Sequence, residues 1–205
     1  MGIHWKIKSK IFSIIDNFKL SFFLYFFQKY ITGNSFKKSN EFNPLWKLHK
    51  INIEKYQANG TIFEFGAGKS LAQNLYLFKS VKKQILFDIQ NMVDYQLVRE
   101  SQRMLETNFD IIFKTNIKNE DDLIKHNIFY HAPADASKTN FKSKSIDACI
   151  STDTLEHIPQ KDLEKIFKEI HRILKKDGIL SSIIDYSDHY SHTDKNLHPL
   201  NFLRY

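Results

Sequence analysis

Thr61-Ile62-Phe63-Glu64-Phe65-Gly66-Ala67-Gly68-Lys69-Ser70-Leu71 decides how the rest of the chain is read. The first five residues are an apolar run of strand length, the next five form a glycine-rich turn, and a helical segment follows with Leu71, Leu75 and Leu77. Strand, glycine turn and helix make the first unit of a doubly wound α/β fold, whose ligand binds at the carboxyl edge of the strands. Gly66 and Gly68 allow backbone angles and a close ligand approach that a Cβ would block. Gly68-Lys69-Ser70 suggests a nucleotide phosphate loop, but that motif needs glycine where Phe63 stands. A dinucleotide fingerprint needs glycine where Leu71 stands. Glu64, two residues before the turn, adds negative charge beside a helix N-terminus and so disfavours a phosphate and favours a cation.

Outward from this unit, the same pattern recurs. Gln84-Ile85-Leu86-Phe87-Asp88 reads as a second buried strand ending in a carboxylate. Asp88 is spaced from Glu64 as an acid that binds ribose hydroxyls would be; it is equally a cap for a following helix. Ile128 to His131 reads as a third strand leading into Ala132-Pro133-Ala134-Asp135-Ala136, where Asp135 is either an acceptor for an adenine amino group or a turn aspartate. Ile146 to Ser151 is a fourth strand, followed by Thr152-Asp153-Thr154-Leu155-Glu156-His157-Ile158-Pro159. An amphipathic helix over Leu163 to Leu174 then closes on Lys175-Lys176-Asp177-Gly178, with a cationic last turn and a glycine stop, before a fifth strand over 179–184.

The chain has 205 residues and a net charge of +7, spread unevenly. Residues 1–60 carry ten Lys against three acidic residues, while residues 61–205 carry twenty of each sign. An electroneutral main domain weakens any nucleic-acid reading, because phosphate binding needs a basic face. The single cysteine, Cys149, excludes a disulfide framework and a zinc site built on several thiolates, so a reducing, cytoplasmic location is expected. Residues 9–32 carry apolar positions at helical spacing, but the unbroken apolar run Phe22–Phe27 is far too short to span a membrane. That segment is a helix packed on the domain, a helix on an anionic membrane surface, or a partner contact. A second helix is expected from Asn43 to Tyr56, with Leu45, Trp46, Leu48 and Ile51 as its anchors. The expected organisation is a basic, aromatic-rich helical extension over 1–57 and one α/β domain over 58–205.

S-adenosylmethionine, with its ammonium, its sulfonium and no phosphate, meets the constraint set by Glu64. The chain resembles the class I S-adenosylmethionine-dependent methyltransferases, of the small-molecule type related to ubiquinone-pathway enzymes. The resemblance rests on Glu64-Phe65-Gly66-Ala67-Gly68, Asp88, Asp135-Ala136, the stretch from Ser145-Ile146-Asp147 to Leu155-Glu156-His157-Ile158, and Leu174-Lys175-Lys176-Asp177-Gly178, over residues 58–186. It implies a Rossmann-like three-layer sandwich with a mainly parallel sheet. It also implies that Glu64, Gly66 and Gly68 hold the methionine end of the cofactor, Asp88 the ribose, Asp135 and Ala136 the adenine edge, with Ser151 and Thr152 beneath the sulfonium. The family's third glycine is Ser70 here, and the stretch from Asn108 to Asn127 is long enough to cover the cofactor. The family's sheet continues for two further strands, so a C-terminally truncated member is expected.

Methyl transfer from a sulfonium needs a positioned acceptor and, for a hydroxyl acceptor, a base. His189 and His192, just beyond the fifth strand, are the first candidates for that base, with His157 and Asp153 next. Each has a plainer reading, as a surface residue or a helix start, and no metal site is assigned. The turn Ser151-Thr152-Asp153-Thr154 lacks the Pro-Pro-aromatic signature of nucleic-acid amino-methyltransferases. The expected acceptor is therefore a small molecule or glycan, methylated on oxygen. Two alternatives stand beside this: a non-catalytic module of the same fold, and a nicotinamide-dependent oxidoreductase, against which Glu64 and Leu71 argue.

Overall fold

The computed structural model describes residues 40–57, 59–187 and 198–200. The chain divides into two compact units, residues 36–184 and residues 1–35 with 185–205. In the second unit the described residues, 185–187 and 198–200, contain no helix or strand. The segment 9–32 lies outside the described residues, as do His189 and His192. Among the described residues no helix is long and apolar enough to cross a membrane.

The first unit runs α1 (Trp46–Tyr56), β1 (Thr61–Phe65), α2 (Ala72–Leu77), β2 (Lys83–Phe87), α3 (Tyr95–Phe109), α4 (Glu120–Ile124), β3 (Ile128–His131), β4 (Ile146–Thr152), a 3-10 turn (Leu155–His157), α5 (Gln160–Ile173) and β5 (Leu174–Ile183). The strands form one parallel sheet in the order β3-β2-β1-β4-β5. The order reverses direction beside β1, so a crevice opens at the carboxyl ends of β1 and β4, where open α/β sheets bind their ligands. A parallel sheet covered on both faces explains why these strands read as apolar runs.

Side chains alternate across each strand and so divide the core in two. Ile62 of β1, Leu86 of β2 and Ile150 of β4 pack with Ile53, Leu75, Val98 and Leu105 under α1, α2 and α3. Phe63 and Phe65 of β1 and Cys149 of β4 pack with Ile166, Ile170 and Ile173 of α5 on the other face. Rings of Phe63, Phe87 and Phe141 meet edge-to-face or tilted at 5.0–5.6 Å, filling the space above β1 and β2.

Four details differ from the sequence reading. α1 turns Trp46, His49 and Ile53 inward, and leaves Leu45, Leu48 and Ile51 at 41%, 50% and 57% exposure. His49 sits at the centre of the buried face because its ring is bonded on both sides, which an apolar count does not register. Gly178 does not stop α5. The helix ends at Ile173, Leu174 is already extended and paired with Ile146, and β5 then bulges before its register resumes at Ile179. Glycine is needed there because a Cβ would press on the Lys175 and Asp147 carbonyls at 3.0 and 3.1 Å. The stretch after Asn108 supplies Ile111, Phe113, Ile117 and Leu123 to the core instead of covering the cleft. The 15-residue helix α3, capped by Asp94 accepting from the Gln96 amide at 3.0 Å, is an element the sequence reading did not assign.

The orientation of α1 is testable by contrast. Ile53→Ala, at a fully buried position, is expected to cost about 2–5 kcal/mol. Ile51→Ala, on the outer face, is expected to stay within about 0.5 kcal/mol of the unsubstituted chain. Urea unfolding of the two variants measures both; equal losses would place the helix the other way round.

Candidate functional site

The glycine turn after β1 has one closed side and one open side. Gly66 sits at φ +78° and Gly68 at φ +75°, the left-handed region that disfavours a side chain. The Gly66 amide donates to the Phe87 carbonyl at 2.9 Å, and a Cβ there would fall on the Thr154 side chain. Thr154 is held in place by its own Oγ1, which donates to the Thr152 carbonyl at 2.8 Å. A Cβ on Gly68 would meet nothing within 4 Å. The turn thus packs against the protein at Gly66 and faces open space at Gly68. Leu71, where a dinucleotide fingerprint has glycine, also takes a left-handed conformation (φ 48°) with its side chain buried.

Asp88 follows β2 directly and is 5% exposed. Its Oδ2 accepts from the Gly68 amide at 3.1 Å and from the Tyr130 hydroxyl at 2.9 Å. The Tyr130 oxygen in turn accepts from the Met92 amide at 2.9 Å. Burial holds the Asp88 carboxyl above its ordinary pKa, against the opposing effect of these donors. Burial also pushes the Tyr130 phenol up, with the neighbouring Asp88 charge adding to it, so the phenol remains a donor throughout the physiological range. Tyr130 is a site residue that the sequence reading passed over as an ordinary strand residue; only the β2–β3 pairing brings it to Asp88.

Beside this corner lies a cleft of ≈ 570 Å³. Phe65 and Gly66 at the end of β1, Phe87 and Asp88 at the end of β2, the Ala134-Asp135-Ala136 turn after β3 and the Thr154–Pro159 connection after β4 all contribute to it. Asp135 uses Oδ1 to accept from the Ser137 amide at 2.8 Å, and the Ser137 hydrogen bonds hold its carboxyl below the usual range, helped by the Lys138 and Lys165 charges. It therefore closes a turn and lines the cleft at once. Of the residues singled out in the sequence, the cleft brings together Gly66, Asp88, Asp135, Ala136 and His157.

The other described candidates sit elsewhere. Glu64 is 2% exposed on the opposite face of the sheet, where Gln73 donates to Oε1 at 2.9 Å and Asn74 to Oε2 at 2.5 Å. Alternation along β1 requires this, because Phe63 and Phe65 take the α5 face. Burial raises the Glu64 carboxyl to about 7, with a smaller push from the Asp88 charge and an opposing pull from the two amides. Ser151 is fully buried, and its Oγ has no hydrogen-bond partner among the described residues. Thr152 Oγ1 donates to Gln73 Oε1 at 2.7 Å on the Glu64 face, and neither Ser151 nor Thr152 lines the cleft. Gly68 adjoins the cleft through its bond to Asp88. Asp153, at φ 48°, is exposed, and its amide donates to the Ile183 carbonyl at 3.0 Å.

Residues 102–182 match the family model described as a methyltransferase domain. The match runs from within α3 through β3, β4 and α5 into β5, so it contains Asp135, Ala136 and His157 and leaves out the glycine turn and Asp88. No curated protein matches the chain by sequence. Similar solved structures include the YcgJ protein from Bacillus subtilis, with TM-score 0.46, 19% identity, and coverage of 77% of this chain and 59% of that one. Another is an S-adenosylmethionine-dependent methyltransferase from Clostridium acetobutylicum, with TM-score 0.46, 16% identity, and coverage of 84% and 59%. A third is Haemonchus contortus phosphoethanolamine N-methyltransferase 1 in complex with phosphoethanolamine and S-adenosylhomocysteine, with TM-score 0.44, 15% identity, and coverage of 70% and 27%. The chain thus spans less than two thirds of the length of each.

The parallel sheet and its strand order make a Rossmann-like α/β fold, as expected of the class I S-adenosylmethionine-dependent methyltransferases that the sequence resembles, and residues 102–182 match a methyltransferase domain. S-adenosylmethionine is the cofactor of that class. The residues present fit it: the turn is open at Gly68, and Asp88 is buried beside the opening, held by the Gly68 amide and the Tyr130 hydroxyl.

The raised Glu64 carboxyl fixes a pH dependence. The folded chain favours the protonated acid, so no stability is lost to this group at low pH, and stability falls as pH rises from about 4.5 through about 7. Glu64→Gln removes the ionisation. Its melting temperature relative to the unsubstituted chain is expected to be more favourable at pH 8 than at pH 4.5. A calorimetric difference that does not change with pH would refute the shift.

Proposed function

We propose that this chain is an S-adenosylmethionine-dependent methyltransferase acting on a small-molecule or glycan acceptor, with methylation on oxygen. The observation that supports it is the corner in which the buried Asp88 carboxylate accepts the Gly68 amide beside the ≈ 570 Å³ cleft. When bound, S-adenosylmethionine supplies a methyl group already activated on a sulfonium. Asp88 accepts from the ribose hydroxyls, and Gly68, having no side chain, lets the backbone approach. Asp135 and Ala136 border the adenine edge, while Phe65, Phe87 and Ile158 keep water from the apolar part of the cleft. His157, exposed and lining the cleft, is our candidate to take the proton of a hydroxyl acceptor. His189, His192 and Asp153 remain candidates for the same role on the sequence argument.

Calorimetric titration of the chain with S-adenosylmethionine and S-adenosylhomocysteine tests this reading. Both are expected to bind, and Asp88→Ala is expected to weaken both at least about tenfold, since it removes charged hydrogen-bond acceptors. A folded chain that binds neither would leave the non-catalytic module as the better description.

We further propose a cytoplasmic location with peripheral membrane contact through residues 9–32, supported by the ten lysines among residues 1–60 and the aromatic run Phe22–Phe27. The chain is expected to sediment with phosphatidylserine-containing vesicles at low salt. It is expected to be released at about 1 M salt, where the Debye length falls to about 3 Å. Sedimentation that is absent, or unchanged by salt, would remove the electrostatic contact.

A further inference from the structure

One face of the sheet carries a polar residue on each of four neighbouring strands. These are Gln84 on β2, Glu64 on β1, Thr152 on β4 and Ser181 on β5, set among Ile62, Leu86 and Ile150. A buried polar row is costly unless every member finds a partner. Here the partners come from α2 and α1. Gln73 and Asn74 of α2 serve Glu64 and Gln84, and His49 of α1 lies between Thr152 and Ser181.

The direction of each bond along this row follows from proton counting. Gln73 spends its Nε2 on Glu64, so its Oε1 must accept, and it accepts the Thr152 hydroxyl at 2.7 Å. That uses the only proton Thr152 has. His49 Nε2, 2.9 Å from Thr152 Oγ1, must then be the donor. Burial holds the His49 ring neutral, with its pKa lowered to about 4, so Nδ1 carries no proton and accepts from Ser181 Oγ at 2.8 Å. Ser181 Oγ in turn accepts from Asn52 Nδ2 at 3.1 Å. The tautomer with the proton on Nε2 satisfies every bond from Gln73 through Thr152 and His49 to Ser181, while Asn74 Oδ1 is left without a hydrogen-bond partner among the described residues.

Two segments that frame the cleft end on this row. Thr152 begins the connection whose Thr154 is bonded to the Thr152 carbonyl and packs on Gly66. Glu64 stands two residues before Gly66, and Gln73 lies in the first turn of α2 just beyond Gly68. We propose that His49 is a positioning residue for the cofactor turn: by donating from Nε2 to Thr152 it locks the Thr152–Thr154 connection and the Gln73–Glu64 pair around Gly66 to Gly68. This deepens, and rests on, the methyltransferase reading above. His49 itself is fully buried and does not line the cleft, so it acts only through these partners.

Two substitutions separate positioning from packing. A glutamine amide reaches about as far as Nε2 and keeps the bond to Thr152, whereas an asparagine amide reaches about as far as Nδ1 and keeps only the bond to Ser181. The chain, H49Q and H49N are titrated with S-adenosylhomocysteine, and the amide resonances of Gly66 and Gly68 are recorded without ligand. H49Q is expected to bind within about twofold of the unsubstituted chain. H49N is expected to bind about tenfold more weakly, the scale of one unmet buried hydroxyl. The two glycine resonances are expected to move in H49N and to stay in place in H49Q. Equal binding by both folded variants overturns the proposal, as does weakening that follows thermal stability in both alike. If H49N does not fold, Thr152→Val decides the matter: it removes the hydroxyl, keeps the shape, and is expected to give the same tenfold loss. Failure of the unsubstituted chain to bind sinks the methyltransferase reading and this role together, whereas binding without the H49N loss sinks only the role of His49.

Discussion

A carboxylate under the middle of a parallel sheet has to be hydrogen-bonded or protonated, and Glu64 meets this requirement from the central strand of the fold. β1 is the middle strand, paired with β2 along its length and with β4 over Ile62–Glu64, and elements packed on both faces leave Ile62–Phe65 buried. Burying an unpartnered ionised carboxylate there would cost more than a domain of this size can lose. The amides of Gln73 and Asn74 meet one oxygen each, which fixes the first turn of α2 over β1. The remaining acceptor of Gln73 then selects Thr152, and Thr152 selects His49. The positions of α2, of the β4 connection and of α1 over this face follow from keeping one acidic side chain satisfied.

The same constraint accounts for the division of labour between the faces. Polar pairing is spent on the α1–α2 side of the sheet, while the α5 side is filled by Phe63, Phe65, Cys149 and the isoleucines of α5. The cleft opens along the aromatic side, at the carboxyl edge, with Asp88 at its corner. The two turn glycines differ accordingly. Gly66 is small because Thr154 occupies the space a side chain would take, whereas Gly68 faces open space next to Asp88 and is favoured by its left-handed φ of +75°.

Much of this was legible in the chain before folding was considered. Local rules suffice for β1 and β3, which the apolar runs locate to the residue, and for β2 and β4, which they locate to within one. Apolar runs bounded by turn residues depend only on neighbours in sequence. The Asp88 position belongs with them, since a carboxylate that ends a buried strand next to a glycine turn is a sequence-local pattern. The methyltransferase resemblance rests on such short blocks in order, and the matched family region contains several of them.

Tertiary structure decided what those blocks face. Glu64 lies two residues from the turn in sequence, yet it points to the far side of the sheet, because alternation is local but the face that becomes the cleft depends on which helices cover it. The inward face of α1 was hidden for a related reason. His49 is buried by Thr152 and Ser181, which stand 103 and 132 residues away, and no periodicity within an eleven-residue helix carries that information. Gly178 reads as a helix stop from its neighbours, and only the β4–β5 pairing reveals the crowded carbonyls that require glycine there. The sequence by itself determined the strands, the turn and the acid beside it, because those depend on the chain's own geometry over a few residues. The buried polar row, and the direction of every proton in it, depended on segments far apart in the chain meeting in a space where each donor needs an acceptor.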